Sequence, residues 1–160
     1  MLKVEIAPMG PVHIDEILKI ERVSFPIPWS KETFLFEILL NELSVYVVAL
    51  LNGSVVGYGG MWLVMDEAHI TNIAVHPDFR KQGIGQQILR ELIRQATERN
   101  LNRMTLEVRP TNIAARKLYQ KFGFVEKGIR KRYYQDNNED AIIMWLEGLQ
   151  KRPTGKPVLK

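Results

Sequence analysis

The segment Ile73-Ala74-Val75-His76-Pro77-Asp78-Phe79-Arg80-Lys81-Gln82-Gly83-Ile84-Gly85-Gln86 constrains the fold most, because it joins a strand pattern to a helix pattern through a glycine-containing, cationic turn. Ile70, Ile73 and Val75 give the strand its apolar, β-branched character, and Pro77 and Asp78 interrupt it. After Gly85, residues Ile88, Leu89, Leu92, Ile93 and Ala96 recur at the spacing of one helix face. The first-turn amides of such a helix lack intrahelical partners, and the macrodipole adds partial positive charge there. A phosphate or pyrophosphate satisfies both. Gly83 and Gly85 let a ligand oxygen approach the backbone, while Arg80 and Lys81 add charge at the same mouth. No Gly-Lys-Ser/Thr follows, so this is not a P-loop, and the third glycine of a dinucleotide fingerprint is missing. On these residues alone, a purely structural turn reads equally well.

The remaining pattern supplies a mixed sheet around that unit. Val4 and Ile6 alternate with Lys3 and Glu5 as a short strand ended by Pro8, Gly10 and Pro11. Residues 12–22 read as an amphipathic helix, and Phe25-Pro26-Ile27-Pro28-Trp29-Ser30 breaks it. Ser30 with Thr33 starts another helix running through Leu40. The aromatic, proline-stiffened break either lines a pocket or is a packed connection held by Phe25 and Trp29. Strands over 44–51 and 55–64 flank Asn52-Gly53, a hairpin signal, and a third strand covers 68–75. Helix 85–98, closed by Asn100, strand 104–109, helix 111–122, stopped by Gly123, and strands 124–129 and 140–146 complete the order. This order predicts an α/β (α+β) chain, a mixed sheet with helices on both faces. Residues 1–149 are expected to form one domain, and 150–160 a basic, flexible tail.

Charge location limits the function classes. The net charge of +4 is carried by Lys151, Arg152, Lys156 and Lys160; subtracting these four from 22 basic residues leaves 18 against 18 acidic ones. A formally neutral body argues against an extensive nucleic-acid face, whose footprint is clustered positive charge. Zero cysteines exclude disulfides, thiolate metal sites and a cysteine nucleophile, and fit a reducing compartment. The apolar run 45–51 is too short to span a bilayer, and acidic residues interrupt the N-terminal region, so a cytoplasmic, non-membrane protein is expected. His13, His69 and His76 lack metal-ligand spacing and read as structural or solvent residues, so no metal is expected.

A second constellation lies downstream. Met104, Leu106 and Val108 share one strand face, so Thr105, Glu107 and Arg109 share the other, which sets a carboxylate just before the next helix. That helix has an N-cap candidate at Thr111 or Asn112 and carries Tyr119 about two turns in. Taken together, Arg80-x-x-Gly83-x-Gly85, Asn112 with Ala115, Leu118-Tyr119 and Gly123-Phe124 resemble the GNAT acetyltransferase family over roughly residues 3–147. Phe25–Ser30, Leu106-Glu107-Val108-Arg109, Arg132-Tyr133-Tyr134 and 140–144 resemble its RimI-like branch, whose members acetylate the N-terminal amine of a ribosomal protein; Ile27 between Pro26 and Pro28 departs from the more compact bacterial form.

The resemblance implies the GNAT fold, a mostly antiparallel sheet with a splayed strand pair, and acetyl-CoA as cosubstrate. Ile73, Ala74 and Val75 would pair their backbone with the pantetheine arm and acetyl carbonyl, Lys81, Gln82, Gly83, Ile84, Gly85 and Gln86 would wrap the pyrophosphate, and Asn112 would bind the pantetheine region. Glu107 would accept a proton, directly or through one water, and Tyr119 would donate one to the departing sulfur. Direct transfer in a ternary complex follows from the lack of cysteine. An N-terminal amine, with a pKa near 8, is about a quarter neutral at about pH 7.4, against about one in a thousand for lysine. The implied partner is a protein N-terminal peptide, the N-terminal alanine of a ribosomal protein. Lysine or small-molecule amine acetylation and a non-catalytic acyl-CoA sensor are the alternatives. Without the resemblance, Glu107 reads as a strand carboxylate paired with Arg109, and Tyr119 as a core aromatic. Lys127, Arg130, Lys131 and Arg132 read as a solvated basic loop able to dock an acidic peptide or RNA.

Overall fold

A computed structural model describes residues 1–151, leaving most of the basic tail outside the described residues. Seven strands form one sheet in the order β1-β2-β3-β4-β5-β7-β6. They are β1 (Glu5–Pro8), β2 (Ser44–Leu51), β3 (Ser54–Val64), β4 (Glu67–Val75), β5 (Arg103–Val108), β6 (Val125–Arg130) and β7 (Ala141–Leu146). The helices are α1 (Ile14–Ser24), α2 (Lys31–Leu39), α3 (Ile84–Glu98) and α4 (Ile113–Lys121). All neighbouring strands pair antiparallel except β4 and β5. The mixed sheet with helices on both faces is as the pattern predicts, and its mostly antiparallel pairing is as the resemblance implies.

Each face has its own core. Ile88, Leu89, Leu92 and Ile93 of α3 are fully buried with Met104, Leu106, Tyr119 and Met144, each large aliphatic contributing about 1.5–3 kcal/mol of burial. On the opposite face Ile14, Ile17 and Ile20 of α1 pack with Phe34, Val48 and Tyr58. The local signals act as predicted: Asn52 and Gly53 have positive φ in the β2–β3 hairpin, and Thr33 N–H donates to Ser30 Oγ at the start of α2. One boundary differs, since residues 11–13 form a 3-10 turn before α1, with Pro11 at its first position. No helix among the described residues is long and apolar enough to cross a membrane.

Candidate active site

The site begins where β4 and β5 part. Their parallel pairing consists of Glu67↔Arg103, Ala68↔Met104 and His69↔Thr105, after which the strands splay. The other edge of β4 stays paired with β3 as far as Val75, so the strand is held in place while the edge facing the fork is left without a ladder. A register shift opposite Gly60 and Met61 bulges β4 at Thr71. The side-chain alternation therefore inverts: Ala68 and Ile70 face the α3 core, and so do Ile73 and Val75, whereas Ala74 packs with the α1 core. A cleft of about 880 Å³ opens at this fork, lined by Glu107, His69, Asn72, Ile73, Asn112 and Tyr119, with Phe25, Trp29 and Tyr133 opposite.

Beyond β4 the turn is braced by its own backbone and side chains. Arg80 Nε–H donates to the Val75 carbonyl at 2.9 Å, so this guanidinium secures the turn rather than standing in its mouth. Lys81 and Gly83 have φ of 63° and 85°, the left-handed region that favours glycine, and Gly83 is the N-cap of α3. As glycine it offers no side-chain cap, so the first amides of α3 remain available to an anion. A Cβ on Gly85 would meet nothing closer than Leu118 Cδ2 at 3.5 Å. Residues Ala74, Val75 and Lys81–Gln86 do not line the cleft, which the structure places around Ile73 and the fork. The donor set fits an extended ligand with an anionic middle: unpaired strand edge first, then a helix N-terminus.

Glu107 lies within the fork, on β5. Its Oε1 accepts from Tyr133 Oη–H at 3.1 Å and is 2.9 Å from His69 Nε2, and its side chain is only 8% exposed. Burial pushes its carboxyl up, but the hydrogen bonds and favourable charge from His69, then Tyr133 and Arg130, outweigh burial and hold it below the ordinary value. The carboxylate is thus ionised at neutral pH. Arg109, the alternative partner that the shared strand face offers, instead pairs with Asp136 at 2.8 Å and Glu139 at 3.4 Å and stacks 3.8 Å over the Tyr134 ring. His69, read from the sequence as a structural or solvent residue, contacts Glu107 in the cleft through its imidazole. Among the described residues, no group of three or more His, Cys, Asp or Glu is placed to hold a metal.

Tyr119 is buried, its ring 5.6 Å from Phe124, and it lines the same cleft. Burial, with a smaller contribution from nearby Tyr134, pushes its phenol well above the usual value. Tyr119 is a core position on α4 that also lines the cleft at the fork. Asn112 caps α4, its Oδ1 accepting from Ala115 N–H at 3.2 Å. The Phe25–Ser30 break also does both things expected of it. Phe25, Pro26, Ile27 and Trp29 line the cleft, while Trp29 packs 5.3 Å from Phe34 and its N–H donates to Glu21 at 2.9 Å. Of the basic cluster, Lys127 and Arg130 lie on β6 rather than in a loop and Lys131 and Arg132 follow it; all four are exposed, and Lys131 meets Asp140 at 3.4 Å.

Sequence reasoning missed His69, Asn72 and Glu21 in this site. His69 meets Glu107 only through the parallel β4–β5 register, which the sequence does not print. A signal for Asn72 was present: the apolar positions 68 and 70 followed by 73 and 75 break strict alternation, and that break marks the bulge.

Residues 14–124 match the Acetyltransferase (GNAT) family. A Bacillus subtilis (strain 168) protein, provisionally named ribosomal protein bS18-alanine N-acetyltransferase, is 44% identical over 90% of this chain and 95% of its own. The Escherichia coli (strain K12) ribosomal protein bS18-alanine N-acetyltransferase is 40% identical over 79% of this chain and 86% of its own. Among solved structures, the ribosomal-protein-S18-alanine N-acetyltransferase from Escherichia coli superposes with a TM-score of 0.82 at 35% identity, covering 91% of this chain and 94% of that one. Ard1 from Thermoplasma volcanium gives 0.82 at 27% identity, over 99% and 100%. A splayed β4–β5 fork, an uncapped helix behind its turn and relatives of this identity lead to one conclusion: the chain belongs to the GNAT acetyltransferase family.

Proposed function

We propose that this protein transfers the acetyl group of acetyl-CoA to the N-terminal amine of a protein, with the N-terminal alanine of a ribosomal protein as acceptor. The observation that carries this reading is the ionised Glu107 carboxylate at the β4–β5 fork, in one cleft with Tyr119. The names of the relatives that cover most of the chain support the acceptor.

Acetyl-CoA supplies the electrophile, a thioester. The β4 edge at Ile73, Ala74 and Val75, which has no strand beside it at the fork, binds its extended arm, Lys81–Gln86 hold its pyrophosphate, and Asn112 flanks the pantetheine. Backbone N–H groups of that edge stabilise negative charge on the acetyl oxygen. Glu107 takes a proton from the attacking amine, directly or through one water. A carboxylate held below the ordinary value is a weak base, so it suits an amine that is already partly neutral and gains acidity as its N–C bond forms. As the C–S bond breaks, Tyr119 presents an O–H to the sulfur, because burial keeps the phenol protonated. One proton leaves nitrogen for Glu107 and one reaches sulfur from Tyr119; Glu107 then releases its proton to solvent and Tyr119 takes one up, which restores both groups.

The test is mass spectrometry of a cell extract treated with the protein and isotope-labelled acetyl-CoA. Label is expected on the α-amine of an N-terminal alanine in a ribosomal protein. Label confined to lysine side chains, or to small amines, overturns the acceptor.

A further inference from the structure

We infer that His69 is a positioning residue for this reaction: its Nε2–H fixes one oxygen of Glu107 and leaves the other to face the amine. This rests on the reading of Glu107 as proton acceptor. His69 is the last β4 residue paired with β5 before the fork opens, so its backbone cannot shift without breaking the sheet. Its imidazole Nε2 lies 2.9 Å from Glu107 Oε1, and Tyr133 donates to that same oxygen. All hydrogen bonds to Glu107 among the described residues fall on Oε1. Oε2 is left unpaired at the cleft.

The two donors differ in kind. Tyr133 is 45% exposed on the connection between β6 and β7, whereas His69 is on a central strand. The imidazole is also backed by Trp62, edge to face at 6.1 Å between ring centroids, and Trp62 is itself anchored through Nε1–H to buried Glu37. His69 is therefore the rigid donor and Tyr133 the adjustable one, able to make room for an incoming chain while Glu107 keeps its orientation. A carboxylate this enclosed needs at least one fixed donor to remain both ionised and aimed. The bond also settles the tautomer: a carboxylate accepts only, so Nε2 bears the hydrogen.

The experiment compares wild type with His69→Gln, His69→Leu and His69→Ala, using an N-terminal peptide or whichever amine the wild type acetylates. Glutamine keeps an amide N–H donor; leucine and alanine have none. His69→Leu and His69→Ala are expected to lower kcat about ten- to hundredfold, as misplacement of a reacting group does, while acetyl-CoA affinity stays at the wild-type value. His69→Gln is expected to restore most of the loss. Nitrogen NMR of the wild-type imidazole should show a protonated Nε2. Full kcat in the leucine or alanine variant, a glutamine variant as slow as leucine, or a protonated Nδ1 with bare Nε2 each overturns the assignment. Unchanged acetyl-CoA binding reports that a variant has folded. A fully active Glu107→Gln would sink the underlying reading; an inactive Glu107→Gln beside a fully active His69→Leu sinks this inference alone.

Discussion

Leading away from one end of the cleft at Ile73, the path from β4 into α3 is held by backbone. Val75 stays paired to Gly57, its carbonyl takes Arg80, and the turn reaches the helix through left-handed Lys81 and Gly83. The opposite wall is held by side chains: Arg109 ties Asp136 and Glu139, Glu21 accepts from Trp29 N–H and Tyr58, and Tyr133 reaches Glu107. Backbone architecture suits a ligand that never varies, since strand edges and helix amides read no side chains. A wall of side chains on loops suits an acceptor that must be told from others. The two walls should therefore fail separately, one in acetyl-CoA affinity and the other in acceptor recognition or chemistry.

The largest effect is expected between the walls. Glu107→Gln should lower kcat by about 10²- to 10⁴-fold, the range for loss of a positioned proton acceptor, and leave acetyl-CoA affinity unaltered by calorimetry. A matching loss of affinity would show that Glu107 belongs to the cosubstrate wall. Tyr119→Phe should also slow turnover, by less, because an N–H or water can still reach the sulfur; turnover at the wild-type rate would remove the proton donor.

Gly83→Ala breaks the backbone wall by itself. At φ of 85° an L side chain costs about 1–2 kcal/mol, and relaxing that strain turns the first amides of α3 away from the pyrophosphate position proposed for them. Acetyl-CoA should bind about five- to thirtyfold more weakly, with kcat at saturation near wild type. An increase in acceptor KM at unchanged cosubstrate affinity would mean that the walls are not independent.

This division also explains what could be read before any coordinates. The backbone wall is local in sequence: Ile73 to Gln86 contains the strand, the turn and the helix start, and period and glycine placement describe all three. Glu107 was legible because alternation in β5 sets it opposite Met104, Leu106 and Val108. The side-chain wall joins segments far apart. Arg109 finds Asp136 across a loop, Glu21 finds Tyr58 from helix to strand, and His69 finds Glu107 through a three-pair parallel register. Charge and strand face offered Arg109 to Glu107 as the nearest partner, and tertiary packing gave each a different one.

Arg109→Leu loosens the side-chain wall. Its guanidinium is mostly buried between two carboxylates and the Tyr134 ring, so its loss leaves Asp136 and Glu139 without their cation and frees the loop that carries Tyr133. Acceptor KM should rise several-fold, and Tm should fall slightly, since solvent screens most of the charge attraction at this partly exposed cluster. Acetyl-CoA affinity should not move, and a comparable loss there would break the comparison.

The smallest effect separates two carboxylates of the cleft by sign. Burial raises Glu21 above its ordinary value despite the donors Trp29 N–H and Tyr58, whereas Glu107 is held below its own. A raised carboxyl favours the folded state when protonated, so the stability Glu21 contributes is full below its unfolded pKa and declines as pH rises through the folded one. Glu107 behaves oppositely: its contribution is present above the unfolded pKa and is lost as pH falls through the folded one. Glu21→Gln supplies a neutral group of the same shape, with its oxygen toward Trp29 N–H and its amide toward the Tyr58 oxygen. At pH 7 it should raise Tm by about 2–4 °C, the shift expected for roughly 1 kcal/mol in a chain of this size. The gain should shrink as pH falls through the carboxylate range, because wild-type Glu21 then becomes neutral too. Glu107→Gln should instead lower Tm at pH 7, with its deficit shrinking toward acid pH. Melting curves of the three proteins between about pH 3 and pH 7 check this against the ordinary carboxylate range. A Glu21→Gln variant that melts lower than wild type at pH 7 would show that the buried charge is matched by its donors rather than opposed by burial.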